Sequence, residues 1–143
     1  MNYDDLPPNM RAIAITLPIE LTNGNDGRGS KWFSSAKMRK EIEATLRALR
    51  MTRDEPIPYQ CVNTVTRILG KGQRLWDSSS IGRGNWKEIE DAMVACGWWV
   101  DDSLKYIAQT IFMQDDTRRE IGPCVELVIS EYKEANAAKT GKD

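Results

Sequence analysis

The sequence predicts a small α+β domain, one mixed β-sheet carrying two main helices on one face, in the order β-α-β-α-β-β. Three observations lead there. Ile13, Ile15 and Leu17 alternate with smaller or polar residues and mark an early strand. Apolar residues at helical spacing mark one helix that ends near Met51 and a second that starts at Trp86. Two further β-patterned runs close the chain after the second helix.

Taken in order, residues 1–10 have no periodicity and read as an extended arm, 11–134 as the folded domain, and 135–143 as a polar tail. Arg11–Leu17 is the first strand, closed by Pro18. Thr22–Ser30 (TNGNDGRGS) is a turn-rich loop with Asn-Gly and Asp-Gly signals. Ser34 or Ser35 caps the first helix, whose stripe is Met38, Ile42, Leu46 and Leu49. Arg53–Pro58 breaks the chain, and Gln60–Leu69 is a strand through Val62, Val65 and Ile68. A basic turn, Gly70-Lys71-Gly72 with Arg74, leads from the end of that strand to Asp77 on a Ser/Gly-rich loop.

Asn85, with Glu88 three residues later, reads as a capping box that starts the second helix at Trp86. Trp86, Ile89, Met93 and Cys96 form its apolar stripe, and Gly97 is the stop signal. Lys87 and Asp91 fall together one turn apart on another face. Trp98, Trp99 and Val100 are expected to bury, and Asp101-Asp102 follow them. Tyr106–Gln114 is the next strand, Asp115–Ile121 a charged hairpin turn, and Pro123–Tyr132 the last strand.

Composition prunes the chemistry. At 143 residues the chain makes one domain, large enough to bury a core without staples. It contains no histidine, which removes Ser-His-Asp and Cys-His catalysis and every histidine-based zinc site. Carboxylates, lysine and a hard metal are what remain. Cys61, Cys96 and Cys124 lie far apart within apolar patterns and read as buried free thiols. No apolar run reaches the roughly 18 residues of a membrane span, so a soluble, cytoplasmic protein is expected. A net charge of −1 leaves the distribution of charge as the informative quantity.

Two basic regions suit phosphate. Arg28 and Lys31 flank the end of the turn-rich loop, and Lys37 and Lys40 share a polar helix side with Arg39, Arg47 and Arg50. Such residues neutralise backbone phosphates in a nucleic-acid complex, or simply face water.

The run D-S-S-S … K-E-I-E-D-A-M-V-A-C-G-W-W-V-D-D resembles the RusA-type Holliday-junction resolvase family, whose core reads D-x-D-N-L, then K-x-x-x-D-A-L, then an apolar run ending in D-D. Asp77, Lys87, Asp91, Ala92, Gly97, Trp99, Asp101 and Asp102 fall in that order. Ile13–Pro18 is similar to the family's opening strand and Cys124–Ser130 to its closing one. Ser79 and Ser80 stand where the family has its second acid and its asparagine, and Ile81–Gly84 looks like an insertion. A second alignment lays Gly82-Arg83-Gly84-Asn85 on the D-x-D-N element and keeps the asparagine without either acid.

The resemblance implies a homodimeric, Mg²⁺-dependent endonuclease that resolves four-way DNA junctions in recombination and repair. It casts Asp102 as the essential metal ligand with Asp77 and Asp101 beside it, and Lys87 as the cation that steadies developing phosphate charge. Arg28, Lys31, Lys37, Lys40, Lys71 and Arg74 would carry the branched DNA. The serines at 79 and 80 leave open a homologue that binds junctions and cuts them poorly. An interaction protein that retains only the fold is the reading from another class. Asp101-Asp102 as a plain solvent-facing turn, and Lys87 with Asp91 as an ordinary helical ion pair contributing ~0.2–0.5 kcal/mol, are the structural alternatives at the site itself.

Overall fold

The computed structural model describes residues 11–23, 31–77 and 80–133. The expected arm and tail, most of the turn-rich loop with Arg28, and Ser79 lie outside the described residues.

The α+β expectation holds: a four-stranded mixed sheet with strand order β1-β4-β2-β3 and two helices. The strands are β1 (Ala12–Leu17), β2 (Cys61–Ile68), β3 (Ile107–Asp115) and β4 (Cys124–Glu131), and the helices are α1 (Lys31–Ala48) and α2 (Trp86–Ala95). β4 pairs antiparallel with both β1 and β2, whereas β2 and β3 run parallel. A parallel pair needs a crossover, and α2 supplies it.

Both helices cover one face. Alternate residues of three strands, Leu17, Val65, Val125, Leu127 and Ile129, join Ile42 and Leu46 of α1 and Trp86, Ile89, Ala92 and Met93 of α2 in one buried cluster. The sheet side of that cluster is β-branched or leucine, as suits a pleated surface, and the helix side keeps the three-to-four residue spacing that puts its members on one stripe. At roughly 1.5–3 kcal/mol for each large apolar side chain removed from water, this shared core dominates the stability of the fold. Trp98 and Trp99 close its end, and Cys61, Cys96 and Cys124 are buried free thiols as expected. Burial pushes the Cys61 thiol up to about 11, so it is inert at neutral pH.

The end of α2 is the stop the glycine signals. Trp98 N–H reaches Met93 O and Gly97 N–H reaches Val94 O, the paired bonds of a Schellman cap, with Gly97 at φ 93°. α1 closes with the same pair, Met51 N–H to Leu46 O and Arg50 N–H to Arg47 O, but places Arg50 at φ 59° where no glycine marks the turn. Leu49, the last residue before that reversal, is exposed, so the buried part of the expected α1 stripe ends at Leu46.

Several local expectations give way to tertiary contacts. α1 begins at Lys31, ahead of the serines expected to cap it, and the Ser35 hydroxyl bonds the Glu88 carboxylate instead. Asn85 makes no side-chain cap bond to α2. Its amide accepts from Thr22 N–H at 2.9 Å and donates to Glu20 O at 3.1 Å, stapling the chain after β1 to the start of α2. The same approach requires Gly84, since a Cβ there would lie 1.6 Å from Thr22 O. Asp115–Ile121 is not a hairpin turn, because β2 lies between β4 and β3 and the two strands that the segment joins do not pair. Val100 is exposed, since the chain turns away from the core after Trp99. Among the described residues no helix is long and apolar enough to cross a membrane.

Candidate functional site

The site is assembled by the first two turns of α2 and by the loop that leads from α2 to β3. The start of α2 is fixed by the Asn85 staple below it and by Trp86, which is buried edge-on against Phe112 with ring centroids 6.5 Å apart. With Trp86 anchored inward, helical geometry turns Lys87 and Asp91 outward and leaves Glu90 partly buried beside them. The loop is fixed by Trp98 and Trp99, both buried, with the Trp98 indole N–H donating to Met51 O at 3.0 Å.

These constraints bring Asp102 to Lys87. The Lys87 ammonium bonds Asp102 Oδ2, lies 3.1 Å from Asp91 Oδ1 and 3.8 Å from Glu90 Oε1. Oxygens of Glu90, Asp91 and Asp102 all lie within 4.8 Å of one another, a spacing from which three carboxylates can converge on one ion. A single lysine thus faces three acids.

The electrostatics follow from that imbalance. The bond to Asp102, with Asp91 adding to it, holds the Lys87 ammonium charged well above the usual lysine range. The same bond holds the Asp102 carboxyl below the usual carboxylate range. Glu90 goes the other way. Burial pushes its carboxyl up to about 7, the pull of Lys87 only partly offsetting desolvation and the negative charges of Asp102 and Asp91. Near neutral pH the cluster therefore sets the held-down Asp102 carboxylate beside Glu90, which gains and loses its proton.

Of the residues expected from sequence, Lys87 and Asp102 meet, and Asp91 of the same motif joins them. Asp101 is turned into its own loop, accepting from Ser103 N–H at 2.7 Å, and the bonds from Ser103 lower its carboxyl. Asp77 is not at a strand end. It sits on the loop after β2, exposed, and is not a member of the carboxylate group. Ser80, where the resemblance places an asparagine, is buried.

The placement of the Asp77 loop depends on residues with no sequence signal. The Gln114 amide, at the end of β3, grips the Trp76 backbone from both sides at 2.9 Å, accepting from its N–H and donating to its C=O. Arg67, 3% exposed on β2, stacks on the Trp76 ring 3.5 Å from its centroid and donates to Arg74 O and Gln114 Oε1. Glu90 was likewise missed. Its signal was its place three residues after Lys87, and only the fold puts Asp102 beside both.

The basic residues remain at the surface. Lys37 and Lys40 are exposed on α1, and Lys71 and Arg74 are exposed on the loop after β2. Lys31 opens α1, and its side chain lies outside the described residues. No family model matches this sequence, and no curated protein matches it.

Proposed function

We propose that this protein is a Mg²⁺-dependent endonuclease for branched DNA, of the junction-resolving type that its motif resembles, acting as a homodimer in the cytoplasm. The observation that carries the reading is the meeting of Lys87, Asp91 and Asp102, charged residues of that motif separated by up to 15 positions, in one cluster with a fourth charge from Glu90. The donor set fits a hard divalent ion: three carboxylates of which one or two suffice for Mg²⁺, the remaining positions being left to water and substrate phosphate. When bound, such an ion polarises the scissile phosphate and lowers the pKa of water. Asp102 and Asp91 would hold the ion, with the Glu90 carboxyl beside them. The Lys87 ammonium, which sits among those carboxylates, would lie within reach of the phosphate, where a positive charge steadies the transition state. Exposed Lys37, Lys40, Lys71 and Arg74 supply phosphate contacts whose number sets the salt dependence of binding. The buried free thiols suit a reducing compartment.

A second reading, a junction-binding homologue with weak cleavage, draws on a separate observation. Asp77 stands apart from the carboxylate group and Ser80 is buried, so the first motif element brings no ligand to the site among the described residues. The test is cleavage of a labelled four-way junction with and without Mg²⁺, alongside binding at low salt. We expect Mg²⁺-dependent cleavage that falls roughly 10²-fold or more in Asp102→Asn with melting unchanged. Binding without cleavage at any metal concentration selects the second reading, and absence of junction binding at low salt removes both.

A further inference from the structure

Trp86 carries a donor that the fold leaves unused. The residue is 4% exposed, and its buried indole N–H makes no hydrogen bond. Buried donors are nearly always paired, so one left over calls for a reason. Trp98 shows the ordinary case, its N–H closed on Met51 O at 3.0 Å. Trp99 has the other unpaired buried indole N–H among the described residues, and its neighbour is the Cys61 thiol, a weak acceptor. Trp86 faces a carboxyl instead.

That carboxyl belongs to Glu90. The two residues are one turn apart on α2, the i, i+4 spacing that sets side chains beside each other on a helix flank. The Trp86 N–H favours the ionised form of Glu90, so it is aimed at that group although no bond closes between them. Glu90 is also the most enclosed of the three acids, its side chain 12% exposed against 33% for Asp91 and 35% for Asp102. The Lys87 ammonium reaches Glu90 Oε1 only at 3.8 Å, whereas it lies 3.1 Å from Asp91 and bonds Asp102. The acid that the lysine holds least is thus the one with a spare buried donor behind it. A carboxylate has two oxygens, so one can meet a metal ion while the other accepts from an N–H.

We propose that Glu90 is a third ligand of the divalent ion and that Trp86 is its positioning residue, the indole N–H taking one carboxylate oxygen while the other meets the ion. The inference rests on the reading of this cluster as a Mg²⁺ site and deepens it by naming the group that aims the buried acid. Trp86 suits that task because its ring is fixed edge-on against Phe112 inside the core, so the donor stands in place before the ion arrives. Donors of this kind orient a ligating carboxylate, and losing one typically lowers metal affinity by about 10- to 100-fold.

The test uses the full chain and Mg²⁺ alone. In a proton–nitrogen correlation spectrum the five tryptophans give indole N–H signals, of which that of Trp86 is assigned through its own side-chain carbons in the parent chain. Mg²⁺ should move this signal downfield, as closing an N–H···O bond does, along the same curve that calorimetry gives for binding. Calorimetry should show Mg²⁺ bound about tenfold more weakly by Trp86→Phe, which keeps a ring in the core and removes the donor. Glu90→Gln should weaken binding as well, and adding Trp86→Phe to it should cost nothing further, because the indole acts through that carboxylate. A ring needed only for packing would instead lower the affinity by the same factor in both backgrounds. Additive losses overturn the inference, as does a Trp86 signal that stays in place at saturating Mg²⁺, or Mg²⁺ that does not bind the chain. The signal in the parent chain decides the matter even where Trp86→Phe fails to fold. Mg²⁺-dependent junction cleavage with an unmoved Trp86 signal would sink this inference alone, whereas a moved signal and coupled losses without cleavage would sink the endonuclease reading alone.

Discussion

Two charge clusters sit at opposite ends of β3, and they are built on different plans. At the end of β3, Arg118 donates through Nε to Asp115 at 2.8 Å and through its two terminal nitrogens to Glu126 at 2.9 and 3.1 Å. Every arm of the guanidinium fork is matched, and Asp115 also accepts from the Thr117 hydroxyl and N–H, which with Arg118 holds its carboxyl down to about 2. Before β3, Lys87 offers a point charge to three acids and is 60% exposed, against 33% for Arg118. One of its acids, Glu90, is pushed up to about 7. The first cluster is satisfied in itself and reads as a structural clasp between β3 and β4. The second sets three acids, against two in the first, around a single point charge that cannot match them all, which leaves room for another cation.

The largest effect expected from breaking this contrast is on activity. Lys87→Met removes the cation that bonds the carboxylates and that, in the proposed reaction, meets phosphate. Junction cleavage should drop roughly 10²-fold or more while calorimetry shows Mg²⁺ binding no weaker than in the parent chain. Weakened Mg²⁺ binding in that variant would mean that Lys87 organises the carboxylates rather than standing in for the ion.

Next comes Glu90→Gln, which takes out the one acid whose ionisation is opposed. Glu90 has a folded pKa of about 7 against an ordinary 4.5, so its ionisation costs folding stability as pH rises from about 4.5 to 7, and the full cost is present above 7. Urea unfolding at pH 8 should find Glu90→Gln more stable than the parent by on the order of 2 kcal/mol, and the gain should shrink toward pH 4.5. A gain independent of pH would show that burial, not ionisation, limits Glu90.

The smallest effect is reserved for the clasp. Arg118→Lys keeps the charge and loses the fork, and should cost about 1 kcal/mol in a urea midpoint while leaving Mg²⁺ binding and cleavage untouched. Loss of cleavage there would couple the two ends of β3 and erase the distinction between them.

Much of this fold is written locally. Alternation at Ile13, Ile15 and Leu17, the stripe Trp86, Ile89, Met93, and the stop at Gly97 give element type because each depends only on residues within one or two turns. The absence of histidine likewise narrowed the chemistry to carboxylates, lysine and metal before any coordinates. The cap at Asn85 shows where such reasoning stops: the side chain suited to bond α2 bonds instead to Thr22 and Glu20, more than 60 residues away. Local propensity says what a side chain is able to do, and packing decides which partner arrives first.

The sequence alone determined the strands, the two helices and the pairing of Lys87 with Asp91, since these follow from backbone periods of two and 3.6 residues. Tertiary structure alone decided that β2 separates β4 from β3, that Glu90 completes the group around Lys87 while Asp77 does not, and that Gln114 and Arg67 hold the Trp76 loop. The strand order, the arrival of Asp102 at Lys87 and Glu90, and the grip on Trp76 each join residues 9 to 60 or more positions apart, where no backbone period connects them. Their meeting is fixed by the burial of Trp86, Trp98 and Trp99 against the sheet, which sets where α2 and the following loop must lie.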